Sequence, residues 1–155
     1  MEVPMKKNTF ADFAICMAKE YEPFRRRIME RFSLSAAEVD VLMFLANNPE
    51  YNTAAQVSKI RMIPKSHVSL AVNSLSEKGL LIRKSGENRK SVCLIPSESA
   101  APVIAFGREM QDAFQETLFF GFSAEEKATF DALHEKMRAN LENMKKSKEK
   151  GTENK

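Results

Sequence analysis

From Phe10 onward the apolar residues recur every three or four positions: Phe10, Phe13 and Ala14, Met17, Tyr21, Phe24, Ile28, Phe32. That spacing follows one face of a 3.6-residue repeat and predicts a long amphipathic helix over about 9–32. Pro23 lies inside it; with no amide proton, it is expected to kink or break the helix there. Ser35-Ala-Ala-Glu38 is a capping box, in which the Ser side chain accepts from the amide three residues on and the Glu reaches back. It opens a short helix with Val39, Leu42, Met43, Leu45 and Ala46 inward, ending near Asn47-Asn48-Pro49. Thr53 can cap a third helix, from Ala54 to about Lys59, whose buried side would be Ala55, Val57 and Ile60.

Pro64 suits the first turn of a fourth helix, which runs to Lys78 and stops at Gly79, a residue fitted to a left-handed cap. Val68, Ala71, Val72 and Leu75 form its apolar stripe. Leu80-Leu-Ile-Arg-Lys and Ser91-Val-Cys-Leu-Ile read as two short strands, joined by the polar, Gly-containing tip Ser85–Lys90. Two more helical stripes follow: Val103, Phe106, Met110, Phe114, Leu118, and, after a second capping box at Ser123-Ala-Glu-Glu126, Phe130, Leu133, Met137, Leu141, Met144. Residues 145–155 carry no apolar positions and are expected to fray, with 147–155 a disordered basic tail. The order is α-α-α-α-β-β-α-α, without internal repeat. The fold class is mainly α, with a small β element.

Length and composition narrow the possibilities. A chain of 155 residues fits one domain, and 5 Gly with 6 Pro leave little for Gly-rich phosphate loops or a many-turned β-sandwich. The 2 Cys, at 16 and 93, cannot frame a small disulfide-bonded secreted fold. With no apolar leader and no stretch approaching a membrane span, a reducing cytoplasm is the expected location. The net charge of +3 hides an uneven distribution. Residues 59–90 hold 8 basic groups against 2 acidic, or +6, whereas 91–142 hold 4 against 9, or −5. A basic segment between less basic flanks suits a nucleic-acid surface, although a solvated helix face would show the same count.

A short helix, a turn, a second helix and a two-stranded hairpin make a winged helix-turn-helix. In that arrangement the second helix enters the major groove and the hairpin reaches phosphates or the adjoining minor groove. Opposite the apolar stripe of the fourth helix stand Lys65, Ser66, His67, Ser69 and Asn73, short or basic side chains suited to phosphate oxygens and base edges. Lys65 and Ser66 also sit at the helix N-terminus, where free amides favour a phosphate, and Thr53 is the corresponding candidate on the third helix. Arg83, Lys84, Arg89 and Lys90 put four cations on one small hairpin, which has no core to support.

Residues from about Leu34 to Pro96 resemble the MarR family of bacterial transcription regulators. The likeness is carried by Leu34-Ser-Ala-Ala-Glu-Val-Asp-Val-Leu, Thr53-Ala-Ala-Gln-Val-Ser, Lys65-Ser-His-Val-Ser with Leu75-Ser-Glu-Lys-Gly-Leu, and the wing Arg83 to Lys90. Gly121-Phe-Ser-Ala-Glu-Glu and the flanking helices extend it over most of the chain. The resemblance implies a winged helix-turn-helix core at 34–96 and dimerisation helices at 9–32 and 100–146. It also implies a homodimer on a pseudo-palindromic operator in double-stranded DNA. Repression or activation would follow, often relieved by a small aromatic or lipophilic effector or by thiol oxidation. By position, Lys65, Ser66, His67, Ser69 and Asn73 would face the major groove, Arg89 the minor groove, and Lys90 a phosphate. Two departures stand out: Asn88 where the family usually has an Asp orienting the tip Arg, and Pro96, which is expected to end strand pairing early.

Other chemistry has little support. Cys16 is the one candidate for a redox sensor, but a sensor needs nearby hydroxyls or cations, and a buried structural Cys is the simpler expectation. Cys93, between Val92 and Leu94, reads as packing or as an exposed strand side chain. His67, His134, Cys16 and Cys93 are too scattered for a metal site, and no cofactor is expected. Gly-x-Ser-x-Gly, P-loop, dinucleotide and His-Glu-x-x-His motifs are absent, which argues against an enzyme. The rival reading is a winged helix used only for dimerisation or partner docking, a use that would not require the basic segment.

Overall fold

The computed structural model describes residues 10–87 and 90–152 of the chain. Its elements are α1 (Phe10–Phe32), α2 (Ala36–Asn47), α3 (Ala54–Arg61), α4 (Lys65–Glu77), β1 (Leu81–Ser85), β2 (Val92–Pro96), a 3-10 turn (Glu98–Ala100), α5 (Ala101–Leu118) and α6 (Ala124–Thr152). This is the predicted order: a mainly helical winged helix with one antiparallel pair of strands. Where the length suggested one domain, the chain divides into two units, Met1–Phe114 and Gln115–Lys155.

The first unit is built around α2. Its capping box forms as predicted, with the Glu38 amide donating to Ser35 Oγ at 3.2 Å and the Ser35 amide to Glu38 Oε2 at 2.6 Å. A single inward face understates its burial, because Val41 and Phe44 are buried along with Val39, Leu42, Met43 and Leu45. The reason is enclosure: α2 contacts α1, α3, α4 and β2, and a helix apolar all round is one surrounded by neighbours. Gly107 of α5 completes the shell, since a Cβ there would lie 2.3 Å from Met43 Sδ.

Contrary to the expected break, α1 runs unbroken through Pro23. The lost hydrogen bond is offset by anchors on both sides. Arg25 Nη1 donates to Asp40 Oδ2 of α2 at 2.8 Å, Ile28 is fully buried, and the rings of Tyr21 and Phe24 both meet Phe114 edge-on. The stripe does not bury evenly, because Phe10 at its start is 70% exposed. On α3, only Val57 of the predicted trio is buried; Ala55 and Ile60 are exposed, and Ala54 packs on the core instead. Ala54 and Val57, three residues apart, share the inward face, Ala55 turns away from it, and Ile60 lies past the contact at the end of the 8-residue helix.

The stripe Val68, Ala71, Val72, Leu75 of α4 is buried as predicted, and Pro64 precedes the helix as its cap rather than opening its first turn. Gly79 takes the left-handed φ of 72°, which lets the Leu80 amide reach Leu75 O at 2.8 Å and close the helix. The strands pair from Leu81↔Pro96 to Ser85↔Val92. Pro96 is therefore the last rung and does not cut pairing short; the next bond comes from the Ser97 amide to Leu80 O at 3.0 Å, so no proline donor is needed.

In the second unit the Ser123 capping box forms, with Ser123 N to Glu126 Oε2 at 2.8 Å and Glu126 N to Ser123 Oγ at 3.1 Å. Phe119 meets Phe122 and Phe130 edge-on beside it. The stripe Leu133, Met137, Leu141, Met144 is exposed along α6. The helix continues to Thr152, into the stretch without apolar positions. Lys and Glu propagate an established helix without needing an apolar face. Among the described residues, no helix is long and apolar enough to cross a membrane.

Candidate nucleic-acid interface

The predicted reading residues come together on one surface. With Val68, Ala71, Val72 and Leu75 turned inward, helical periodicity turns Lys65, Ser66, His67, Ser69 and Asn73 outward, and all five are exposed. Ser66 and Asn73 share one stripe, and Leu70 lies between them, 67% exposed. The polar inventory of α4 passed over Leu70, although its spacing of four from Ser66 and three from Asn73 placed it on the same stripe. Lys59 and Arg61 on the last turn of α3 are exposed as well, adding cations that had been counted but not assigned.

The wing divides its cations between two faces. Paired residues of antiparallel strands share a face, so Arg83 lies with Leu94 and the buried Leu81, whereas Lys84 lies with Cys93 on the opposite face. Arg83 is exposed, and its guanidinium donates to Asn73 Oδ1, which ties the root of the hairpin to α4. Lys84 and Lys90 are exposed, and the Gly86 amide bonds Ser91 O at 2.8 Å to narrow the tip. Asn88 and Arg89, the expected tip residues, lie outside the described residues.

A buried carboxylate fixes the other end of α4. Glu38 is 4% exposed, and Lys78 Nζ donates to its Oε1 at 2.8 Å and its Oε2 at 3.1 Å. The Ser74 hydroxyl also donates to Oε1. Burial alone would raise the pKa of Glu38, but the bonds from Lys78, the Ser35 amide and Ser74 outweigh it and hold the group at about 2. Lys78 belongs to the basic segment by sequence, yet its charge is spent on a partner 40 residues away. The capping-box position of Glu38 was legible; its role in clamping α4 to α2 was not.

Thr53 caps α3 with a full box. Its Oγ1 donates to Gln56 Oε1 at 2.9 Å and accepts from the Gln56 amide at 3.3 Å, so the hydroxyl expected at a phosphate is engaged within the helix end. Cys16 is exposed on α1, not buried as expected, because the first turns of that helix extend past the core cluster. Cys93 is half-buried in β2. Among the described residues, no group of His, Cys, Asp and Glu could hold a metal ion. A cavity of about 360 Å³ opens between α2, the end of β2 and α5, lined by Leu45, Pro49, Pro96, Ile104 and Arg108. Arg108 Nη2 also donates to Ala46 O at 3.2 Å.

The MarR family model matches residues 32–91, the stretch from the end of α1 through the hairpin tip. A MarR family transcriptional regulator from Silicibacter pomeroyi has a similar structure, with TM-score 0.72 and 21% identity over 85% of this chain and 90% of that one. A MarR protein from Peptoclostridium difficile gives TM-score 0.72 at 19% identity, over 92% and 94%. The S. aureus MepR–DNA complex gives 0.67 at 18%, over 86% and 96%. At these identities the likeness is one of fold. No curated protein sequence matches the chain.

Proposed function

We propose that the chain is a MarR-family transcription regulator that binds operator DNA as a homodimer, a reading supported by the family model's match to residues 32–91 and by the likeness of fold. The observation that carries this reading is the outward face of α4: Lys65, Ser66, His67, Ser69 and Asn73 are exposed together above a fully buried stripe. The N-terminal half of α4 enters the major groove. Lys84, Arg89 and Lys90 of the wing contact phosphates and the neighbouring minor groove, and Lys59 and Arg61 neutralise phosphates on the other side. The chain acts as a repressor on a pseudo-palindromic site in the cytoplasm and performs no catalysis.

The dimer is supported by apolar surface that one chain leaves uncovered. Phe10, Phe13 and Ile15 on α1, and Leu133, Leu141 and Met144 on α6, are all exposed. A small lipophilic or phenolic effector is supported by the 360 Å³ cavity beside α5, which is in the size range of ligand pockets and has an arginine at its edge. Oxidation of the exposed Cys16 is a lesser route to release.

The test is a fluorescence-anisotropy titration of random-sequence duplex over a range of salt. Lys59, Arg61, Lys65, Lys84, Arg89 and Lys90 together predict a log–log slope of about −5 per protomer. Binding that is absent, or indifferent to salt, would overturn the nucleic-acid reading in favour of a docking module. Light scattering at micromolar concentration should return the mass of two chains.

A further inference from the structure

Leu70 is out of place chemically. It is 67% exposed, and it stands in the middle of the outward stripe of α4 with Ser66 four residues before it and Asn73 three residues after. Its exposed neighbours on the helix, Ser66, His67 and Asn73, all carry hydrogen-bonding groups. Most other large exposed apolar side chains fall at the start of α1, along α6 or in the turn between α5 and α6, where they sit beside others of their kind. Leu70 instead has hydrogen-bonding neighbours on its stripe.

We infer that Leu70 is a specificity-determining residue that reads the 5-methyl group of a thymine in each half-site; the inference rests on the DNA-binding reading above. The major-groove edge of a base pair offers hydrogen-bond donors and acceptors and, at thymine alone, a methyl group. An apolar side chain at the centre of a polar reading face therefore matches one feature of unmodified B-DNA. Arg83 strengthens the assignment by holding Asn73, the next residue on the stripe, through its Oδ1. The polar and apolar contacts are thus presented from one fixed surface.

The experiment begins with duplexes enriched by the wild-type protein from a random pool. Each thymine of the enriched site is then replaced by uracil, which removes the methyl group and leaves the pairing edge intact. At one position per half-site, replacement should weaken wild-type binding about fourfold, the worth of one buried methyl group. Leu70→Ala should bind thymine and uracil versions of that position equally, while keeping the wild-type salt slope. Insensitivity to uracil at every position, or equal sensitivity in Leu70→Ala, would overturn the role given to Leu70. A uniform loss of affinity on all duplexes in Leu70→Ala would also overturn it, by showing generic packing. If the pool yields no enrichment and no salt-dependent binding, the DNA reading itself fails and this inference falls with it.

Discussion

Glu38→Gln tests whether the pose of the reading helix depends on a buried charge. The native carboxylate has an ordinary pKa of 4.5 and is held at about 2 in the folded chain. A carboxyl group depressed in this way stabilises the fold only while it is charged. The contribution is complete above 4.5 and is lost as the pH falls from there through 2. At about 1.4 kcal/mol per unit, the full depression corresponds to roughly 3 kcal/mol. The side chain of Lys78 is 40% exposed, so solvent screening reduces that figure, to about 1–2 kcal/mol. Glutamine keeps an acceptor for the Ser35 amide but loses the charge that Lys78 faces. Urea titrations at fixed protein concentration should therefore show Glu38→Gln less stable than wild type by about 1–2 kcal/mol at pH 7. The gap should narrow steadily below pH 4.5. A gap of the same size at pH 3 and pH 7 would refute the electrostatic account and leave only the altered shape of the side chain.

Three further outcomes follow from other sites. Arg89→Ala should reduce the salt slope of duplex binding by about one unit without changing which sequences are enriched, as loss of one phosphate-region contact requires. Gly107→Ala should destabilise by about 1–3 kcal/mol through overpacking on Met43, and combined with Met43→Ala it should cost less than the sum of the two single losses; thermal melts of the single and double variants measure both. Met62 ends α3 at φ 54° with its side chain 88% exposed, so Met62→Gly relieves left-handed strain without losing packing. It should raise stability by up to about 1 kcal/mol in denaturant titrations.

The parts of this fold that were legible in the sequence are those with a local cause. Ser35 with Glu38, Ser123 with Glu126, and Gly79 after Glu77 each act within a few residues, and each forms where the pattern placed it. The stripe of α4 was legible for the same reason, since its period alone assigns Val68 and Leu75 inward and Ser66 and Asn73 outward. What escaped was decided across the chain. Pro23 was expected to interrupt α1, but Arg25–Asp40 and the rings around Phe114 hold the helix together from outside it. Ala55 lies two residues from Val57 and so turns to the opposite face, while Ile60 keeps the period but stays exposed at the end of a short helix. Lys78 counted toward the basic segment, and Arg83 toward the wing, with nothing in the sequence to show their partners, Glu38 and Asn73. A charge count records residues and has no knowledge of which charges are already answered.

That distinction reorganises the basic segment. Residues 59–90 carry 8 basic groups against 2 acidic, and withdrawing Lys78 into its pair with Glu38 reduces the available +6 to +5. Those that remain exposed are not spread evenly. Among the described residues, Lys59, Arg61 and Lys65 lie around the turn between α3 and α4, and Arg83, Lys84 and Lys90 lie on the wing. Between them, the stripe Ser66, Leu70, Asn73 carries no charge. Contacts to phosphate set position and carry no sequence information, whereas base edges are read by short polar and apolar groups. A surface with cations at its margins and neutral side chains at its centre separates these tasks in space. The clamp at Glu38 and the tie at Asn73 hold the C-terminal half of α4. Its N-terminal half, where Lys65, Ser66 and His67 stand exposed, is the part that the proposed function assigns to the duplex.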